Sequence, residues 1–438
     1  MPVFPLHGAH VPHRKYTSPT TAARLPSPQT VTLPMSMHIG APATPIVAVG
    51  DSVEVGQPIA EQAGRIGAPI HASVSGTVKT IAPIQMSDGR YVTAVTIESD
   101  GKMTPWSGLQ PPEIRTAADL VAAVKMSGIV GLGGAGFPTA VKLDAGDPCR
   151  AEYLLVNGAE CEPYITSDSY TMIVRADEVV AGIRLVCDTL GIGKAVIGIE
   201  KNKPAAIAAM KRATANDDRV SVKVLPSTYP QGGEKMLIYH ATGRTVPEGK
   251  LPLDAGCIVM NCTTLASVAN YVATGMPLVE KCVTVDGAAI AHPQNVIAPI
   301  GTPIADLLNF VGTVTEPEKI LYGGPMMGIC VANTAAPIMK TTNAITALDG
   351  AEAHEPRLTA CIRCGACINH CPMRLDPVAI ARAYAQKDGE QLDRLKIQLC
   401  IECGCCSFVC PTGQPIVQRN RLAKAVRKTY IDKKEGKA

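Results

Sequence analysis

Aromatic side chains are scarce, at 4% of the 438 residues, with four Phe and a single Trp. The core must therefore be filled mainly by Val, Ile, Leu, Ala and Met, within a hydrophobic content of 46% that is ordinary for a globular chain. Excess charge is also missing: a net +3 gives no reason to expect nucleic acid as a partner. No stretch has both the length and the apolarity of a bilayer span. Residues 255–279 and 320–339 carry no charge, but the first holds Asn261, Thr263, Thr264, Ser267, Asn270 and Pro277, and the second Gly323, Gly324, Pro325 and Asn333. Both are expected to be buried soluble structure. The opening MPVFPLHGAHVPHRK lacks the charged-then-apolar pattern of a signal peptide. A chain this long should hold two to four domains, with many turns at its 35 Pro and 39 Gly.

Cysteine is plentiful, with sixteen residues. Eight of them form two runs, Cys361, Cys364, Cys367, Cys371 and then Cys400, Cys403, Cys406, Cys410, each spaced C-x2-C-x2-C-x3-C-P. This is the ligand run of a two-cluster ferredoxin, in which the fourth Cys of each run ligates the other cluster. Cys361, Cys364, Cys367 and Cys410 are assigned to one [4Fe–4S] cluster, and Cys400, Cys403, Cys406 and Cys371 to the second. Zinc is the alternative for four thiolates, but zinc ribbons pair two distant C-x2-C units. Disulfides are disfavoured by crowding within the loops. The setting is therefore reducing and intracellular. Cys405 fits no ligand position and is expected to be a small buried residue.

The chain before these runs divides by composition. Residues 1–34 are rich in Pro, Thr and Ser, with His7, His10, His13, Arg14 and Lys15 in a cluster that reads as a solvated arm packing on a later domain rather than a metal site. From Met35 to Ile97 short β runs alternate with turns at Gly50, Gly56, Gly64, Gly76 and Gly89, as in a small sandwich or barrel. VGDSVEVGQPIAE followed by IHASVSGTVKTI resembles the barrel-sandwich of lipoyl and biotinyl carriers. The carriers' Lys is missing from the tip near Ile70-His71-Ala72, so the domain reads as structural. A helix is expected over 116–126. The glycine loop GIVGLGGAGFPTAVK follows, with Gly131, Gly133 and Gly136 in G-x-G-x-x-G spacing. The loop follows a helix, so it is not an ordinary dinucleotide fingerprint. Its glycines still allow backbone N–H groups close to a phosphate or flat ring, and Lys142 adds a positive charge.

A buried strand at 153–156 then ends in NGAECEP, placing Asn157, Glu160 and Glu162 at its carboxyl end, where ligands bind in open α/β sheets. The alternation continues through 226 and reaches a second glycine pair, YPQGGEK, with Tyr229, Gly232, Gly233 and Glu234.

Together GLGGAGFPTAVK, VNGAECEPYIT, IEKNKP and YPQGGEKMLI, with HIGAPATPIVAVGDSVEVGQPIAE at the front and CIECGCC at the back, resemble the RnfC family, a component of the Rnf ion-translocating ferredoxin:NAD+ oxidoreductase. They are similar, more distantly, to the flavin subunit of respiratory complex I. The resemblance implies FMN held by Gly131, Gly133, Gly134, Gly136, Lys142, Asn157, Glu160, Tyr229, Gly232, Gly233 and Asn261, with NAD(H) on the flavin near Glu162 and Glu234. Glu160 and Glu234 are the candidates for a catalytic role. Two positions depart from the complex I pattern: Gly233-Glu234 replaces two adjacent acids, and Ala159 replaces an acid.

The implied fold is multidomain α/β. It comprises an arm and barrel-sandwich (1–110), an atypical Rossmann-like FMN/NAD domain (111–278) and a small β-grasp module (279–335). A linker (336–355), an α-helical two-cluster ferredoxin-like domain (356–418) and a basic tail (419–438) complete it. The tail is expected to be a solvated end, with docking on an acidic partner or lipid as the alternative. The implied function is electron transfer from reduced ferredoxin, through a cluster-bearing donor subunit, then two clusters and FMN, to NAD+. The chain would be peripheral on the cytoplasmic face of the membrane, with Na+ or H+ moved by other subunits. A soluble cobalamin reductase sharing the glycine loop and both cysteine runs is the alternative, and a silent electron-wiring scaffold is a second.

Overall fold

The computed structural model describes residues 7–146 and 149–436; the first six residues of the arm and the last two of the tail lie outside the described residues.

The front of the chain forms two small sheets. Thr30–Pro34, Tyr91–Ser99, Gly76–Gln85 and Ser52–Val53 make one, and Thr44–Pro45, Pro58–Glu61 and Ile70–His71 the other. Period-two alternation sends Val31 and Leu33 inward between outward Thr residues, to meet Ile59, Ile70, Val95 and Ile97 in a shared core. His71, at the tip where a carrier would swing a Lys, is buried against Gly128 and Lys340. The Lys340 ammonium donates to the carbonyls of Pro69 (2.6 Å) and Gly128 (2.8 Å), so this tip is pinned at a three-way junction.

The central sheet carries four parallel strands in the order Val220–Leu225, Lys194–Glu200, Tyr153–Asn157, Cys257–Asn261. Three of the strands are largely apolar on both faces, as a doubly covered sheet requires, while the edge strand Val220–Leu225 exposes Ser221 and Lys223. Leu154, Val156, Ile197, Ile199, Ile258 and Met260 meet helices Ala176–Leu190 and Cys262–Thr274. Leu155, Val196 and Val259 meet Leu237 and Ile238 of helix Glu234–Thr242 on the other face. The chain adds strands to one side of Tyr153–Asn157 and then returns to place Cys257–Asn261 on its other side. That reversal creates a crevice at the carboxyl ends of these two neighbours, where Asn157 and Asn261 lie in register.

A six-stranded mixed sheet follows, in the order Ala22–Arg24, Gln294–Pro299, Glu280–Asp286, Ala344–Leu348, Lys319–Tyr322, Ile329–Cys330, with helix Ile304–Val311 against it. Two expectations change here. The segment 336–355 is not a linker: Ala344–Leu348 is fully buried and central in the sheet, because AITAL is apolar save for Thr346, whose hydroxyl is satisfied by the Gly323 carbonyl at 2.8 Å. The arm does pack on a later domain, and more closely than a solvated segment would: Ala22–Arg24 extends this sheet and Thr17 donates to Asp286 at 2.6 Å.

The cysteine runs sit on helices Pro377–Ala385, Gly389–Arg394 and Ile416–Lys434, around Ile380, Ala383, Leu392, Ile397 and Ala423. The basic tail is thus part of this core and not a free end. Ala423 and Asn420 face inward, while the Lys and Arg residues point to water or to acids such as Asp393 and Glu402. Among the described residues no helix is long and apolar enough to cross a membrane.

Candidate functional site

The glycine loop folds over the crevice. Gly131 N–H donates to the Phe137 carbonyl (2.9 Å), closing the loop at its neck. A Cβ added at Gly133 would lie 2.4 Å from the Asn261 amide nitrogen, whereas one at Gly134 would meet nothing within 4 Å. The loop is therefore pressed onto Asn261 at one glycine and open at the next, a cradle of backbone that a side chain would fill. Gly136 has φ +72° and packs on Thr341 of the mixed-sheet domain.

Asn261 caps helix Cys262–Thr274. Its Oδ1 accepts from the N–H groups of Thr263 (2.9 Å) and Thr264 (3.2 Å). Its Nδ2 donates to Asp168 (2.7 Å), which also accepts from the Thr263 hydroxyl (2.7 Å). Across the crevice Asn157 Nδ2 donates to the Gly232 carbonyl at 2.9 Å and ties the second glycine loop to the first strand. Lys142 reaches in from helix Thr139–Leu143, with Nζ 2.9 Å from Glu234 Oε1 and 3.0 Å from the Val259 carbonyl. This pair is about one-third exposed on each side and so is weak enough to exchange for an anionic ligand. Gly133, Gly134, Lys142, Asn157, Gly232, Glu234 and Asn261 therefore line one place. The backbone cradle, the helix N-terminus at Asn261 and the lysine suit a phosphate-bearing flavin.

Glu160 turns elsewhere. Its carboxylate accepts from the N–H groups of Asp168 (2.7 Å) and Ser169 (3.2 Å) and from the Ser169 hydroxyl, capping helix Ser167–Val174. Desolvation raises its pKa. Glu162 points to the Gly323–Gly328 loop and accepts from Met326 N–H (3.1 Å) and Met327 N–H (2.8 Å), with desolvation pushing it up to about 7. The carbonyls of Glu160, Glu162 and Ile165 all accept from one ammonium, that of Lys15 on the arm, at 3.0, 2.8 and 2.5 Å. Burial of that ammonium lowers its pKa to about 8. Lys15, Asp168 and Thr263 were not placed at the site by the sequence, which put Lys15 only in the cluster on the arm. Lys15 lies 145 residues from its nearest acceptor, so no local pattern could have found it.

Tyr229 is 2% exposed and shares a core with Cys403 and Cys405, against which Cys161, Met326 and Ile401 pack. Gly233 packs against Met236 and Ile401 at the same seam. The Cys405 thiol lies 3.7 Å from the Tyr229 carbonyl and is fully buried, so this non-ligand cysteine seals the seam between the cysteine unit and the second glycine loop.

The cysteines themselves group across the two runs. Cys367 lies within electrostatic range of Cys364 and Cys410, and Cys371 of Cys400 and Cys403, with Cys406 near the same three. Cys371, Cys400, Cys403 and Cys406 line one cavity with Leu375, Ile401 and Val417. Four cysteines drawn from both runs around one cavity are the all-thiolate donor set that a [4Fe–4S] cluster uses. The second set lies against Tyr229, while Cys361 and Cys364 of the first are exposed.

Four family matches follow the same divisions: an RnfC barrel sandwich hybrid domain over 5–102, a Nuo51 FMN-binding domain over 124–270, an SLBB domain over 282–329 and a 4Fe-4S dicluster domain over 355–411. The chain is 42% identical over 389 residues to the RnfC component of the Na(+)-translocating ferredoxin:NAD(+) oxidoreductase complex of Acetobacterium woodii, covering 87% of each chain. It is 41% identical to the same component of the proton-translocating complex of Clostridium ljungdahlii, covering 83% of this chain and 80% of that one.

The chain belongs to the RnfC family.

An NAD+-reducing [NiFe]-hydrogenase in the H2-reduced state shares the fold at 20% identity and a TM-score of 0.50, over 71% of this chain and 63% of that one. As a member of the RnfC family, the chain carries FMN and two [4Fe–4S] clusters as its redox groups.

Proposed function

We propose that this chain passes electrons through its two clusters and FMN to NAD+, as a peripheral subunit of a complex whose other subunits move Na+ or H+. When bound, the clusters exchange single electrons and the flavin exchanges a hydride with the nicotinamide. The observation that carries this reading is the seam at Tyr229, which brings the second cysteine set to the back of the glycine loop that borders the crevice. It favours one order, with the exposed first set outermost, the second set next and the flavin last.

In this reading the Gly133–Gly134 backbone, Lys142 and the Asn261 cap hold the FMN phosphate, and Asn157 with Gly232 sets the wall beside the ring. Glu234 is the acid best placed to meet the nicotinamide cofactor, since its only ion pair among the described residues is the exchangeable one with Lys142. Glu160 serves as a positioning residue through the helix that carries Asp168. The mixed sheet and its helix are read as the β-grasp module and the cysteine unit as ferredoxin-like. The chain would lie on the cytoplasmic face of the membrane, fed by a cluster-bearing subunit that is itself reduced by ferredoxin. The two relatives, one of a Na+- and one of a proton-translocating complex, support ion coupling by the complex and leave the ion open.

The test is anaerobic stopped-flow mixing of the reconstituted chain with NADH. Flavin bleaching followed by cluster bleaching is expected. NADH that leaves the flavin oxidised would exclude the enzymatic reading.

A further inference from the structure

The two cysteine runs repeat each other in sequence and in backbone. Cys361-Ile362-Arg363-Cys364-Gly365 matches Cys400-Ile401-Glu402-Cys403-Gly404. Arg363 and Glu402 have φ +57° and +56°, and Gly365 and Gly404 have φ +77° and +80°. Each run enters a short helix, Ala366–Asn369 or Cys405–Phe408.

Their surroundings differ at every matched position. In the second run Ile401 packs against the Tyr229 core, Glu402 pairs with Arg421 (3.0 Å) and Lys424 (2.5 Å), and a Cβ on Gly404 would lie 2.6 Å from the Met326 carbonyl. In the first run Ile362 is 66% exposed, Cys361 and Cys364 are exposed, and a Cβ on Gly365 would have only the Asn369 amide, at 4.0 Å. Arg363 has no ion pair among the described residues. Leu358, Ile368 and Phe408 add exposed apolar surface around it. The two short helices carrying Ile368 and Phe408 touch each other, and Thr359 N–H bonds to Thr412 (3.1 Å), so this surface is continuous. From Pro356 to Leu375 the chain has Arg357, Arg363 and Arg374, all exposed, and no acid.

We propose that the first cysteine run is a docking face for a second protein, which seats on it as this chain's own flavin domain seats on the second run. The partner is a protein with an acidic surface that carries its own one-electron centre. The apolar side chains need a dry contact, and the unpaired arginines select negative charge and speed encounter. The inference rests on the electron-transfer reading, because only a redox partner has reason to cover an exposed cluster.

The test uses the full reconstituted chain and an acidic two-cluster ferredoxin, pre-reduced, as the probe. Cluster reduction is followed by stopped flow at rising salt, in the parent and in Arg357→Glu/Arg363→Glu. The second change copies Glu402, which already occupies the same backbone conformation, so the loop should tolerate it. The parent rate is expected to fall roughly tenfold between about 20 and about 200 mM salt, as screening removes the steering. The double variant should start roughly tenfold slower and show little salt dependence. Leu358→Ser should slow the reaction a few-fold without changing the salt slope. A double variant with the parent's rate and slope would overturn the proposal. So would loss, in that variant, of parent binding to anionic phospholipid vesicles or of parent self-association while ferredoxin kinetics stay unchanged. NADH bleaching of the flavin, measured on the same samples, reports separately on the electron-transfer reading and should be unaffected by all three changes.

Discussion

Gly133 has no room for a side chain, and that fixes what its replacement does. Gly133→Val drives branched carbons into the Asn261 amide and breaks the cap from which the crevice is built. Flavin affinity should fall at least roughly tenfold, about 1.4 kcal/mol, while both cluster spectra persist. Flavin fluorescence after denaturation and iron analysis of the same sample check this; full flavin occupancy would place the cofactor elsewhere. Glu162 gives a pH-dependent prediction. Its folded pKa, about 7, lies above the unfolded value, so between about 4.5 and 7 the folded chain binds more protons. Its contribution to stability is present at low pH and is lost as pH rises through 7. Glu162→Gln removes this dependence. The thermal midpoint of the variant relative to the parent should therefore rise from pH 5 to pH 7.5, and a difference that stays flat or falls would refute the assignment. The Asn157 and Lys142 positions at the crevice were legible because strand ends and glycine loops follow from local pattern, whereas Asn261 was reached only through the family resemblance. The direction of Glu160 was not legible: its position past a buried strand suggests a ligand, yet its oxygens are used by the first turn of helix Ser167–Val174. An acid at a strand end and an acid capping the next helix look alike until the backbone is traced.

Among the elements, the tail helix departs most from its composition. RNRLAKAVRKTYIDKK is so rich in charge that it reads as a solvated end, and its two buried residues, Asn420 and Ala423, are not large apolar ones. The partners of Ala423, namely Ile380, Leu392 and Ile397, lie on the segment between the two cysteine runs, where nothing in the local pattern signals a missing third helix. Asn420 also approaches the Cys400 sulfur at 3.6 Å. Removing residues 416–438 should therefore expose this core and release iron, from about eight atoms per chain for two four-iron cubes to well below half. Iron and sulfide analysis after anaerobic reconstitution decides it, and retention of eight irons would return the tail to a free end. Strand Ala344–Leu348 was missed for a related reason. Four apolar residues and one Thr between polar loops are too short a run to carry a period, so a central strand and a linker cannot be told apart without the neighbours that bury it.

At the scale of the whole molecule, the order of the redox groups depends on how domains far apart in sequence meet. The cysteine spacing was fully legible, since chain length between ligands is a covalent constraint. The seam was not, because it is assembled from Ala9 and Val11 on the arm, Tyr229 on the second glycine loop, Met326 on the mixed-sheet domain and Cys405. Membership of the two sets crosses the runs: Cys371, from the first run, groups with Cys400 and Cys403 of the set against Tyr229, and Cys410, from the second run, with Cys367 of the exposed set. NADH reduction of Cys371→Ala and Cys410→Ala, followed by freeze-quench EPR, tests the proposed order of transfer most directly. Both variants should keep the flavin and lose one cluster. Cys410→Ala should still transfer electrons from NADH to its remaining cluster at the parent rate, whereas in Cys371→Ala the remaining cluster should be reduced slowly or not at all. The opposite pattern, or equal reduction in both, would contradict the order of electron transfer drawn from this structure.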